Sequence, residues 1–141
     1  MNLSQLQPLL DVEGIRFYNL QAGEPVTQID AFGLRSRITD HMPHVKDFLD
    51  TAAFVENLDL VITVDTSVAH LAGALGKPVW ILSRYDACWR WLQNRRQNPW
   101  YPTVRVFGQA VMGNWNAVID SVTCELSKLA CAYSSLNRPV T

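Results

Sequence analysis

The sequence predicts an α/β fold, with a mainly parallel sheet and helices on both faces. Three observations predict it. Residues 58–82, LDLVITVDTSVAHLAGALGKPVWIL, read as strand, polar turn, helix and strand. Apolar strand-like runs alternate with helical patterns along the rest of the chain, which in one sheet calls for parallel strands and crossover helices. The length of 141 residues, 48% hydrophobic and 18% charged, is that of one ordinary globular domain with a full core. Residues 1–141 therefore read as one domain, without repeat, low-complexity segment or linker.

Residues 3–11 form a short helix with Leu3, Leu6 and Leu10 on one side, limited by Pro8. Ile15–Leu20 reads as a strand, and Gln21–Pro25 as the loop after it. Leu34–Ile38 is a second, weaker strand. Val45–Leu58 is a helix that points Val45, Phe48, Leu49, Ala52 and Val55 inward. The 58–82 unit follows. Its helix places Val68, Leu71, Ala72 and Leu75 on a core stripe, and Ala69, Gly73 and Gly76 on a line of small residues that permits close approach to the sheet. Gly76 suits the position just past the helix, and Pro78 cannot continue it. Residues 83–103 form a long loop, Val104–Phe107 a strand, and Asn114 the N-cap of a final helix. Trp115, Val118, Ile119, Val122, Leu126, Leu129 and Tyr133 line one face of that helix.

The polar turn Asp65-Thr66-Ser67 stands where a buried strand gives way to a helix. At that place in parallel sheets, unpaired backbone N–H groups and the positive end of the helix dipole favour an anion such as a diphosphate. Capping by Thr66 or Ser67 accounts for one hydroxyl. Three polar residues followed by His70 on the first turn favour ligand contact over a merely structural histidine. The 83–103 loop leaves the next strand and overhangs the same crevice. Its Arg84, Arg90, Arg95 and Arg96 can pair with phosphate, and Tyr85, Trp89, Trp91, Trp100 and Tyr101 can stack on a base or sugar. Trp89 and Trp91 read as packing residues, Arg84 and Arg90 as ligand candidates.

A net charge of −1 gives no electrostatic case for nucleic acid. No apolar stretch approaches the length needed to span a bilayer, and the N-terminus lacks the pattern of a signal peptide, so the cytoplasm is the expected location. The three cysteines have no metal-ligand spacing; Cys124 and Cys131 read as buried thiols too far apart on one helix for a disulfide, and Cys88 as a loop residue. His41 and His44 read as surface residues, and no metal site is expected.

The string DTSVAHLAGALGKPVW, with DFLDTAA at 47–53, WRW at 89–91 and PWYPT at 99–103, resembles one family. It is similar to the glycosyltransferase region that follows tetratricopeptide repeats in bacterial proteins, related to the ADP-heptose:lipopolysaccharide heptosyltransferases of glycosyltransferase family 9. A more distant similarity is to O-linked N-acetylglucosamine transferase. The resemblance runs from about Gly14 to Val118. Ser67 departs from the glycine usual in the heptosyltransferases; Asn19, Arg84 and Cys88 also depart from the common pattern. The resemblance implies a Rossmann-like three-layer α/β/α domain, the C-terminal half of a two-domain B-type glycosyltransferase. It implies a nucleotide-sugar as donor substrate rather than a cofactor; together with the residues read above, the expected binding set is Asp65, Thr66, Ser67, His70, Gln21, Arg84 and Arg90. It also implies an N-terminal acceptor-binding domain or repeat region as partner and supplier of the catalytic base. On that reading the chain alone is inactive in transfer, and an exposed Trp-rich surface favours homo-oligomers. The alternative is a non-catalytic nucleotide-binding or protein-interaction module that retains the fold.

Overall fold

The computed structural model describes residues 1, 3–23, 27–86, 88–91 and 98–136. The described residues form an α/β structure in which every strand pairing is parallel, as the alternating pattern predicts. The strands belong to two sheets, of two and three strands, carried by two compact units: residues 1–42 with 115–141, and residues 43–114.

In the first unit, a 3-10 turn at Leu3–Leu6 leads into α1 (Gln7–Leu10), which has a proline in its first turn. There the missing N–H costs nothing. Strand β1 (Phe17–Asn19) pairs with β2 (Ile38–Asp40), Phe17 opposite Ile38. Between them lies α2 (Thr27–Ala31), which the sequence pattern did not reveal. Leu10, Ile29, Leu34 and Ile38 form the core, with Leu3 and Phe17 packed on it. The strand expected at Leu34–Ile38 is corrected: Leu34–Ser36 is a 3-10 turn, entered from Gly33 at φ 65°, and the chain extends only from Ile38. Glu24 and Pro25 lie outside the described residues.

The final helix, α5 (Asn116–Leu136), buries Val118, Ile119, Val122, Leu126 and Ala130. Tyr133 is exposed rather than inward. The first i→i−4 bond joins the Ile119 N–H to the Trp115 carbonyl, so Trp115 takes the capping position expected of Asn114. Cys124 and Cys131 are exposed, against the expectation of buried thiols. The buried stripe passes through 118, 122 and 126, and seven-residue spacing keeps both cysteines on another face.

The second unit holds α3 (Phe48–Glu56), β3 (Val61–Thr63), α4 (Ser67–Ala74), β4 (Val79–Ser83) and β5 (Val104–Gly108), in the strand order β3-β4-β5. The βαβ unit read from 58–82 is therefore present. Helix α3 is shorter than the 45–58 expected, because the Asp47 carboxylate caps it by accepting from the Leu49 and Asp50 N–H groups, both at 2.9 Å. Of the five residues expected inward, only Val55 is fully buried, while Phe48 and Leu49 are 60% and 77% exposed. The half-buried positions 51, 52 and 54 accompany Val55; Leu49 lies off that face, and Phe48 shares it but is exposed in the first turn.

Helix α4 is likewise rotated from the expected stripe. Ala69, Ala72 and Gly73 are buried, whereas Val68, Leu71 and Leu75 are only half-buried. The line of small residues is the packed one, and what approaches it at Gly73 is Tyr101. A Cβ on Gly73 would lie 2.7 Å from Tyr101 Cγ. The helix ends as predicted. Gly76 adopts φ 73°, its N–H donates to the Gly73 carbonyl, and the Lys77 N–H donates to the Ala72 carbonyl. These are the two bonds of a Schellman cap.

Candidate functional site

Because the second sheet is parallel, β3, β4 and β5 deliver their carboxyl ends to one edge. Register places Thr63 beside Ile81 and Ser83 beside Gly108. Asp65, Thr66 and Ser67 follow β3 at this edge, and all three are exposed. Thr66 occupies the capping position of α4 with extended backbone, yet its side chain makes no capping bond. Its hydroxyl instead lies 3.2 Å from the Thr63 hydroxyl. The first turn of α4 therefore presents its N–H groups without a side-chain cap, the arrangement that accepts an external anion.

His70 stands one turn further along, half-buried. Its ring stacks on Trp91 at 4.7 Å between centroids, and its Nδ1 lies 3.3 Å from the Tyr101 hydroxyl. Trp91 is only 1% exposed, and its Nε1 has no hydrogen-bond partner among the described residues. Trp91 packs, as the sequence suggested; Trp89 does not, being 67% exposed with the Arg90 guanidinium 5.2 Å from its ring centroid.

Arg84 follows β4 at the same edge, exposed, with Nε 3.5 Å from Asp86 Oδ1. Arg90 is exposed in the 3-10 turn Trp89–Trp91 and donates from Nη1 to Cys88 Sγ at 3.2 Å. Gln21 belongs to the other unit. There its N–H donates to Asn19 Oδ1, and its carbonyl accepts from Asn19 Nδ2. Asn19 Nδ2 also donates to Asp40 Oδ1 at 2.9 Å, so this buried amide ties the carboxyl ends of β1 and β2 together. Arg95 and Arg96 lie outside the described residues.

Two residues of the second unit escaped sequence reasoning. Asn98 is buried; its Oδ1 accepts from the Trp100 and Tyr101 N–H groups, and its Nδ2 donates to the Arg90 carbonyl. It thereby aims Tyr101 at Gly73 and His70. An Asn-Pro turn was the available signal. Tyr101, read from the sequence as a stacking candidate, packs on Gly73 and reaches His70. Gln109, also buried, accepts from the N–H groups of Tyr85 and Gly113, joining the loops that follow β4 and β5. A single glutamine after a strand gives no such signal.

His41 and His44 are exposed, and among the described residues no group of three or more His, Cys, Asp or Glu could hold a metal ion. Among them, too, no helix is long and apolar enough to cross a membrane.

No known family model matches the chain, and no solved structure matches it. The chain is similar to Protein FlbA of Caulobacter vibrioides, at 30% identity over 130 residues. That stretch is 89% of this chain and 22% of FlbA, so the chain spans about a fifth of its relative's length. The resemblance to repeat-linked glycosyltransferases and heptosyltransferases is thereby corrected. The relative found carries neither description, and no model of those families matches. The physical reason is that a βαβ unit with a hydroxyl-rich turn is a local solution open to many parallel-sheet proteins.

Proposed function

We propose that this chain binds a nucleoside-diphosphate sugar, with the diphosphate on the first turn of α4, as the donor for sugar transfer to an acceptor hydroxyl. One observation carries the reading: the N-terminus of α4 follows the carboxyl end of a parallel strand and lacks a side-chain cap, its Thr66 hydroxyl turned to Thr63. The N–H groups that no side chain caps, with the helix dipole, favour the charge that develops on a departing diphosphate. The Ser67 hydroxyl and the exposed Arg84 guanidinium supply further donors at the same edge.

The test is a thermal-shift and calorimetric panel of ADP, UDP and GDP with their hexose conjugates. At about 100 times Kd the chain gains roughly 2.7 kcal/mol of apparent stability. A folded sample that shows no shift at millimolar ligand overturns the proposal.

A second reading, a non-catalytic interaction module, is favoured by the exposed Tyr85, Trp89, Trp100, Val111 and Met112 of the same unit. A sample that ignores every nucleotide yet self-associates in sedimentation supports that reading instead.

A further inference from the structure

We propose that oxidation joins two copies of this chain through α5, by two symmetry-related disulfides between Cys124 of one copy and Cys131 of the other. Both thiols are exposed. Seven residues carry a helix through nearly two full turns, so the two share one face, roughly 10 Å apart along the axis. That distance is beyond the reach of a disulfide, so they cannot join each other within one chain. It fits a second α5 laid antiparallel on the same face. With the two-fold axis between Ser127 and Lys128, Cys124 of each copy stands opposite Cys131 of the other, and symmetry closes both links together.

Charge selects this orientation. A parallel pair sets Asp120 against Asp120, and its two-fold along the axis carries the second copy's Glu125 to the opposite flank, away from Lys128. In the antiparallel pair each Lys128 lies within about 3 Å, along the axis, of the second copy's Glu125. Lys128 already donates to its own Glu125 Oε1 at 2.7 Å, so the four charges alternate. The other side chains near this face are short. The hydroxyls of Ser121, Ser127 and Ser135 donate back to carbonyls of their own helix, which leaves little polar demand on burial. Short side chains let two helix axes approach to the roughly 8 Å at the close end of helix packing. Lys128 is raised above its ordinary pKa by its hydrogen bond to Glu125 and then by Cys124, which places a cation beside that sulfur.

The chemistry is thiol–disulfide exchange with a disulfide oxidant such as oxidised glutathione. One protein thiolate attacks the oxidant and expels a glutathione thiolate. The facing thiolate then displaces the second glutathione, so two protein thiols become one disulfide and their protons end on two glutathione thiols.

The test titrates the purified chain with oxidised glutathione and reads non-reducing electrophoresis and peptide mapping. The expected product is a covalent dimer, reversed by dithiothreitol, whose mapped link is Cys124–Cys131 and which forms unchanged in C88S. C124S and C131S each slow it at least about tenfold, because the remaining like thiols no longer face each other and lose their effective concentration. K128E, with its fold checked by circular dichroism, slows it with every cysteine in place. Links between like cysteines, dimerisation at the wild-type rate in C124S/C131S, or no covalent dimer at excess oxidant overturns the proposal.

Discussion

Thr66 and His70 make the proposed anion site testable one side chain at a time. The Thr66 hydroxyl does not cap α4, so Thr66→Ala is expected to cost less stability than the roughly 1 kcal/mol of a lost cap. Its effect should appear in nucleotide affinity, where a hydrogen bond to a charged group is worth about 1.5–3 kcal/mol. Melting and calorimetry, measured separately, check this. His70→Ala removes a ring stacked on Trp91 and bonded to Tyr101, so it loosens packing as well as binding. If the variant is destabilised yet binds normally, His70 is a core residue. Gly73→Ala gains about 1 kcal/mol in helix propensity but sets a methyl 2.7 Å from Tyr101 Cγ, a ring carbon without a flexible end to swing away. Overpacking of this kind costs about 1–3 kcal/mol, so net destabilisation is expected in a denaturant midpoint. At Asp30 the hydrogen bond from Arg35 holds the carboxyl below its ordinary value. That contribution is present at neutral pH and lost as pH falls through the lowered value. The pair is exposed, so solvent screening keeps it small. Asp30→Asn should flatten the stability slope below about pH 4, the range where a free aspartate titrates.

At the scale of elements, ends are fixed by local chemistry and faces by packing. Asp47 caps α3 through two N–H groups, and Asp47→Ala should lower stability by about 1 kcal/mol in chemical denaturation without shifting nucleotide affinity. The Schellman cap at Gly76 and the turn into Ile38 belong to the same class of local signals. The end of α4 at Gly76 was legible because a cap needs only neighbours in sequence; the Asp47 cap is equally local, yet apolar periodicity placed the start of α3 at Val45. The buried faces of α3 and α4 were not. Hydrophobicity ranks Val68 and Leu71 above Ala69 and Gly73, but Tyr101 can pack only where there is no side chain to meet it.

For the whole molecule, hydrogen exchange with a bound nucleoside diphosphate separates the two units. Binding at α4 is expected to slow exchange in residues 61–74. Unchanged exchange at α4 beside a positive binding signal places the ligand elsewhere. The sequence by itself determined the α/β class, the parallel βαβ unit around Asp65, and the polar turn that makes an anion site thinkable. Periodicity, turn residues and caps are properties of neighbouring residues, and they suffice for that. Only the tertiary structure decided that the strands form two sheets, that Thr66 turns to Thr63 and leaves α4 uncapped, and that Asn98 aims Tyr101 at Gly73 and His70. It also decided that Cys124 and Cys131 lie exposed on α5. Each of these depends on what another segment presents across space, and a pattern along one chain does not encode that directly.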